Sequence, residues 1–317
     1  MEDRESQQNR FDVALASDLC VDLILRGNVR PKFHQQEQLV DNYALELGGS
    51  ANIFACQMAK LGARIAVLGC IGTDVFGEYV LEQLNQAGVD TGLVRTDSQV
   101  STGLGVALAE GTDRAILTIL GGIAEVFPEN LPLQPELLCR HWHVASPFLL
   151  CGLRSAWIHF LPHAKSAGVT VSLDTNWDPD ERWDGIVELL PSVDVFFPNE
   201  AEAIALTGER DTREAARRLA QSGCLVVVKC GADGVVAASK EGEWALGPSE
   251  MAEKPSIVVD TVGAGDNFDA GFLWAWLQGQ DVYQCISLGH SCAVASLGEA
   301  GGIRGQRTRM SKGREKQ

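Results

Sequence analysis

The sequence lacks any apolar run approaching the ~20 residues that a membrane-spanning helix requires. It also lacks a Cys-x-x-Cys pair. Its nine cysteines stand singly, the pattern of reduced, buried thiols in a cytoplasmic protein rather than of disulfides. Basic residues are scarce: 26 Lys and Arg face 42 Asp and Glu, a net charge of −16. That balance excludes nucleic acid and anionic membrane as partners. The first ten residues are polar with mixed charge, which is not the pattern of a signal peptide. Internal repeats and low-complexity segments are missing too. What is present is length and apolar content: 317 residues, 45% of them hydrophobic, enough for a large core. Residues 304–317 depart from the acidic balance, with six basic residues against the single acid Glu315. They carry almost no apolar periodicity, so a disordered basic tail is expected after one domain over 1–303.

Periodicity predicts the elements. Strands are expected at 11–16, 64–70, 142–145, 169–173, 193–197, 225–229 and 256–259, with short edge strands within 21–29 and 38–45. Helices are expected at 51–61, 75–87, 155–167, 200–207, 212–222, 268–277 and 282–297. Hairpins are expected at 103–109 with 115–120 and at 235–238 with 243–246. From about residue 140 strands and helices alternate, which means an α/β fold with a mostly parallel sheet covered on both faces. Ligands then bind at the C-terminal ends of the strands. The material around 12–45 and 97–123 should form one small β-sheet beside the main body, acting as a lid.

The most informative stretch is Asp260-Thr-Val-Gly-Ala-Gly-Asp-Asn-Phe-Asp-Ala-Gly-Phe272. Gly263-Ala264-Gly265 can turn successive N–H groups one way, and such a nest at a helix N-terminus attracts phosphate. Asp266 follows in the first helical turn, where an acid competes with an anion for the same positive end. A base beside a phosphoryl-holding hole explains both features. A glycine turn with Asp266 as a helix cap is the structural alternative. Upstream, Gly48-Gly49-Ser50-Ala51-Asn52 opens a helix. Its glycines let the backbone approach a ligand, and Asn52 can donate and accept toward hydroxyls.

Continued as Ala55-x-x-x-Ala59-Lys60-Leu61-Gly62, Gly69-x-x-Gly72-x-Asp74-x-x-Gly77 and Ala87-Gly88-Val89, that segment resembles the first signature of the ribokinase-like (PfkB) carbohydrate kinases. The Asp260–Phe272 stretch resembles the second. The resemblance covers roughly residues 10–300. It implies a three-layer α/β kinase with a β-sheet lid that moves the ATP γ-phosphate to a hydroxyl of a small neutral sugar or polyol. By this resemblance Asp266 is the base, and the amides of Gly263, Ala264 and Gly265 form the anion hole. Asn199 and Glu202 of Pro198-Asn-Glu-Ala-Glu202 hold Mg2+ waters and phosphate. Lys229, Gly231 and Gly234 lie along the nucleotide. Asp22, Gly48, Gly49, Asn52, Asp174 and Asn176 face the acceptor. Asp260 and the carbonyl of Val262, with residues 298–302, correspond to the monovalent-cation (K+) site of some members. A homodimer formed through the lid is a candidate assembly.

Two positions depart from the family pattern. Cys20 stands where many members have Asn. Asp178 stands where members acting on fructose or acidic sugars often have Arg, which counts against an acidic acceptor, with Arg114 on the lid as a candidate replacement. A nucleoside kinase of the same fold is the alternative within enzymes, and a non-catalytic sugar sensor the alternative outside them. The presence of Asp266, the glycine loop, Asn199 and Glu202 speaks against the sensor. The His141-x-His143 pair lacks a third ligand nearby in sequence and is read as structural, as are Trp274 and Trp276. His290 falls near the place where members contact adenine.

Overall fold

The computed structural model describes residues 10–308 apart from 111, 112, 248, 251, 252 and 256; the side chains of Asp113 and Arg114 also lie outside the described set. Strands β1 (Phe11–Ala16), β4 (Ile65–Gly72), β5 (Asp90–Asp97), β8 (Cys139–Val144), β9 (Thr170–Leu173), β10 (Val195–Phe196), β11 (Leu225–Lys229), β12 (Val235–Ala238) and β13 (Glu243–Leu246) make one sheet. Its order is β13-β12-β11-β10-β9-β8-β1-β4-β5. The strands from β11 to β5 run parallel, and β12 and β13 close one edge as an antiparallel hairpin. A second sheet, in the order β3-β2-β6-β7, is built from β2 (Cys20–Arg26), β3 (Asn42–Gly48), β6 (Gly103–Glu110) and β7 (Asp113–Ile119).

The apolar strands are buried on both faces, and alternate residues feed two cores. Val13, Leu15, Val67, Val195 and Val227 pack on one side, against α1 (Ser50–Lys60), α2 (Val75–Ala87), α6 (Ala264–Leu277) and α7 (Val282–Ser296). Ala14, Ala16, Trp142, Val144, Phe196, Val226 and Val228 pack on the other, against α3 (Trp157–Ser166), α4 (Glu200–Thr207) and α5 (Thr212–Ala220). Trp274 and Trp276 pack against the first core.

Several expectations need correction. Phe11–Ala16 is not lid material but a central strand, because its residues are apolar on both faces and it pairs β4 and β8. Asp90–Asp97 is an edge strand whose exposed, polar residues hid it from a pattern search. Ile257–Val259 forms no strand and is exposed, and Ser256 lies outside the described residues. Residues 304, 306 and 307, expected in a tail, contact the main body: Gln306 is buried and bonds the Ile53 carbonyl, Arg304 pairs with Glu46, and Arg307 pairs with Glu253. Residues 309–317 and the Arg114 side chain lie outside the described set.

His141 and His143 alternate onto one face of β8, beside Thr170 and Ser172 of β9. The Ser172 hydroxyl joins His141 Nε2 and His143 Nδ1, both at 2.7 Å, and His141 Nδ1 meets Thr170 Oγ1 at 2.8 Å. Burial pushes both imidazoles down in pKa, His143 to about 3, so they are neutral. Ser172→Ala should therefore leave two buried ring nitrogens unmatched and cost about 1–3 kcal/mol. Urea unfolding at pH 7.5 measures it; a loss under about 0.5 kcal/mol would mean that water replaces the hydroxyl.

Candidate active site

Because β1, β8, β9, β10 and β11 are parallel, their C-terminal ends bring residues from five separate segments to one edge. Helix α1 starts at Gly49, whose φ of 84° suits glycine and which has no side chain with which to cap. Asp18, just past β1, does the capping, accepting from Ser50 N at 3.2 Å and Ala51 N at 3.1 Å. Burial raises its pKa to about 6, against the bonds from Ser146 and the two amides. Ser146, past β8, donates its hydroxyl to Asp18 at 2.7 Å. Its amide and hydroxyl lie 3.0 and 3.1 Å from Asn176 Oδ1. Asn176, past β9, donates through Nδ2 to the Ser50 hydroxyl at 2.9 Å, and Ser50 in turn bonds Asp266. Ser146 and Asn176 both hold left-handed backbones, φ 49° and 51°. Strain of that kind persists only where surrounding bonds over-determine it.

Asp266 sits in the first turn of α6. Gly263 precedes the helix at φ 71°, and a Cβ there would stand 2.9 Å from both Gly302 Cα and the Ile53 side chain. No other residue fits both constraints. Of the amides that follow, Ala264 N lies 3.4 Å from the Thr261 carbonyl and Asn267 N donates to the Gly263 carbonyl at 2.9 Å, while those of Gly265 and Asp266 have no intrahelical partner. Burial raises the Asp266 pKa to about 7, helped by the charges of Asp174 and Asp18 and opposed by Lys229 and the Ser50 bond.

Lys229 ends β11. Its ammonium lies 2.9 Å from Asp174 Oδ2 and 2.8 Å from Asp269 Oδ2. Two of its three donors are therefore committed to carboxylates. For Asp174, burial works upward but Lys229 holds its pKa below the usual range. Asn199 and Glu202 cap one another at the start of α4. Asn199 donates its amide at 2.8 Å and its side chain at 2.6 Å to the Glu202 carboxylate, and accepts from Glu202 N at 2.9 Å. Burial and the Asp174 charge raise Glu202 to about 7, against Lys229 and bonds from Asn199 and Thr175.

The remaining expected residues divide. Asp22 stands on the lid between Gly48 and Gly105. A Cβ on either glycine would fall within 2.6 Å of its carboxylate, so the two glycines make the space it occupies. Asn52 is held from within the protein. It is fully buried, donates to the Gly48 carbonyl at 2.7 Å and accepts from the Ser17 hydroxyl at 2.7 Å. Gly231 and Gly234 form a turn of positive φ before β12, and a Cβ on Gly234 would meet the Leu246 carbonyl at 2.0 Å. Asp260 accepts from Val262 N at 3.0 Å and Gly301 N at 3.1 Å and faces Arg26 of the lid at 3.6 Å. Arg26 thus supplies positive charge beside Asp260. Asp178 turns inward to accept from Asp180, Arg182 and Trp183 amides and offers the cleft no group. His290 bonds the Glu253 carbonyl at 2.7 Å.

Sequence reading missed Asp18, Ser50, Ser146 and Asp269 as site members. Asp269 was findable, since it lies one turn past Asp266 on the same helix face. Ser146 carried no local signal.

The pfkB family carbohydrate kinase model matches residues 13–309, and the chain belongs to that family. It is thus an ATP-dependent phosphotransferase with an alcohol acceptor. A ribokinase of Haemophilus influenzae is 30% identical over 273 residues, 82% of this chain and 84% of its own. A 2-dehydro-3-deoxygluconokinase of Bacillus subtilis is 27% identical over 85% of this chain and 86% of its own. Nucleoside kinases are also among the relatives. An E. coli protein described as a ribokinase II, solved with ATP and Mg2+, superimposes with a TM-score of 0.79 at 21% identity over 95% of this chain and 97% of its own, a likeness that establishes the fold.

Ser50 links Asp266 to the Asn176–Ser146–Asp18 chain. Ser50→Ala should lower kcat about 10- to 150-fold, since a hydrogen bond to a charged group is worth about 1.5–3 kcal/mol. Steady-state kinetics at pH 7.5 with saturating substrates check it, and unchanged kcat would show that Ser50 serves the helix cap alone.

Proposed function

We propose that this chain transfers the ATP γ-phosphate to a hydroxyl of a small neutral sugar or polyol, with Asp266 as general base. The observation that carries the reading is the placement of a buried carboxylate in the first turn of a helix opened by Gly-Ala-Gly. Phosphoryl transfer is mostly positioning and electrostatics. The amides of the Gly263–Gly265 loop and the positive end of α6 would hold the transferring group's charge. Asp266 would take the hydroxyl proton late in the step, and a pKa of about 7 suits a base at neutral pH. Mg2+ fits the acidic rim: Glu202, with Asn199, would orient metal-bound waters, and the ion would neutralise phosphate charge.

The described cations near the cleft support a neutral acceptor. Lys229 is held by Asp174 and Asp269, and Arg26 faces Asp260. Neither is left for a substrate carboxylate, although one relative is named for an acidic sugar. Asp22 on the lid, with the Gly48–Gly49 backbone, would bind hydroxyls as the lid closes and excludes water. Exposed Ile116, Leu117 and Ile119 on the lid's edge strand support pairing of two lids in a homodimer.

Asp266→Asn should lower kcat by about 10²–10⁴-fold with little change in ATP affinity. In the wild type, kcat should rise with pH through about 7 as Asp266 ionises, and that acid limb should vanish in the variant. Near-normal turnover by Asp266→Asn would remove the base assignment. The acceptor is tested by ADP release with Mg-ATP across neutral sugars, polyols, sugar acids and nucleosides. A neutral polyhydroxy compound is expected to lead, with Asp22→Ala weakening its binding by about 2 kcal/mol and sparing ATP. Preference for a sugar acid or a nucleoside would overturn this assignment of the acceptor.

A further inference from the structure

Beside the proposed base lies a group of charges held together across three elements. Lys229, Asp174 and Asp269 come from the ends of β11 and β9 and from the second turn of α6. Their side chains are 14%, 4% and 0% exposed. A Cβ built on Gly265 would lie 3.5 Å from Lys229 Nζ, so the ammonium stands directly behind the loop backbone. Two of its three donors are spent on the carboxylates.

We propose that Lys229, locked by Asp174 and Asp269, is a positioning residue that holds Asp266 in its working state and backs the anion loop with positive charge, without contacting nucleotide or acceptor. The proposal rests on Asp266 being the base. The groups that face Asp266 are Asp174, Lys229 and Asp18 from neighbouring segments and the Ser50 hydroxyl from α1. Lys229 is the cation acting on it, and it also opposes the upward shifts of Glu202 and Asp269. Two carboxylates cannot both ionise beside one buried ammonium without excess negative charge. Burial and the Asp174 charge drive Asp269 upward, against Lys229. Lys229 and Asp174 act on Asp266 with opposite sign.

That opposition gives the test. In Lys229→Met the acid limb of the kcat–pH profile should move up by about one unit or more, because an opposite charge within a few ångströms shifts a carboxylate by about 1–3 units. Turnover at pH 7 should fall about tenfold and recover toward pH 9, while the KM for ATP changes less than about twofold. Asp174→Asn should move the limb the other way, and the double variant should return it to within about half a unit of the wild type. A tenfold rise in the ATP KM with an unmoved limb would make Lys229 a nucleotide contact and overturn the proposal. Should Lys229→Met fail to fold, an unmoved limb in Asp174→Asn overturns it equally. Asp266→Asn separates the layers: if it keeps turnover, the base assignment fails. If it loses turnover while the limb stays fixed in the other variants, only the positioning role fails.

Discussion

The site depends on one cation among five buried acids. Asp18, Asp174, Glu202, Asp266 and Asp269 converge at the C-terminal ends of the parallel strands. Lys229 touches two of them and lowers the pKa of two more through its field. Burying ionised groups is costly unless each is paired or hydrogen-bonded. The fold meets that cost with three devices: the ion pair of Lys229, amides at the start of α1 for Asp18, and the mutual cap for Glu202. Asp266 receives the least, one serine hydroxyl, and it is among the acids held near neutrality.

The lid is tied to the same economy of charge. Asp22 sits between two glycines, whose lack of side chains makes the space its carboxylate occupies. The lid strands also carry Arg26 and Glu46, which face Asp260 and Arg304 of the main body. These contacts join the lid to the segments that flank the glycine loop, since Asp260 also accepts from the Gly301 amide. Half-exposed ion pairs of this kind are worth little individually, so they can form and break as the lid moves, while the Lys229 pair below stays closed.

Helices 75–87 and 200–207 were legible to the residue. Their ends carry explicit chemistry: Asp74 accepts from Phe76 and Gly77 amides, Asn199 and Glu202 box one end, and Gly88 and Gly208 close the others in left-handed conformation. Asp266 and its glycine loop were legible for the same reason, since positive φ and a helix start are local events. The partners of Asn52 and Lys229 were not legible, because residue type suggests a role but the fold decides which groups meet. Asn52 lies in the first turn of a buried helix and meets Ser17 across 35 positions, and Lys229 meets two acids distant by 55 and 40 positions. Ser146 joins the site through a contact with Asp18 across 128 positions, a distance at which no pattern in one sequence speaks.

Titration explains why such a site is confined to one edge of the sheet. Asp18, Asp266 and Glu202 have folded-state pKa values raised to about 6, 7 and 7. Raised carboxylates favour the fold at low pH, and that contribution is lost as pH rises through these values. His141 and His143 are depressed, so their contribution is present above about 6.5 and lost as pH falls, for His143 toward about 3. At neutral pH the histidine layer in the sheet therefore stabilises fully, while the acids at the rim have given up most of their advantage. The working ionisation of Asp266 is thus the state least favourable to the fold. A divalent cation bound with the nucleotide would relieve it by supplying positive charge beside Glu202. The core beneath, neutral and closely packed, lets the rim carry that deficit without loosening the strands that aim it.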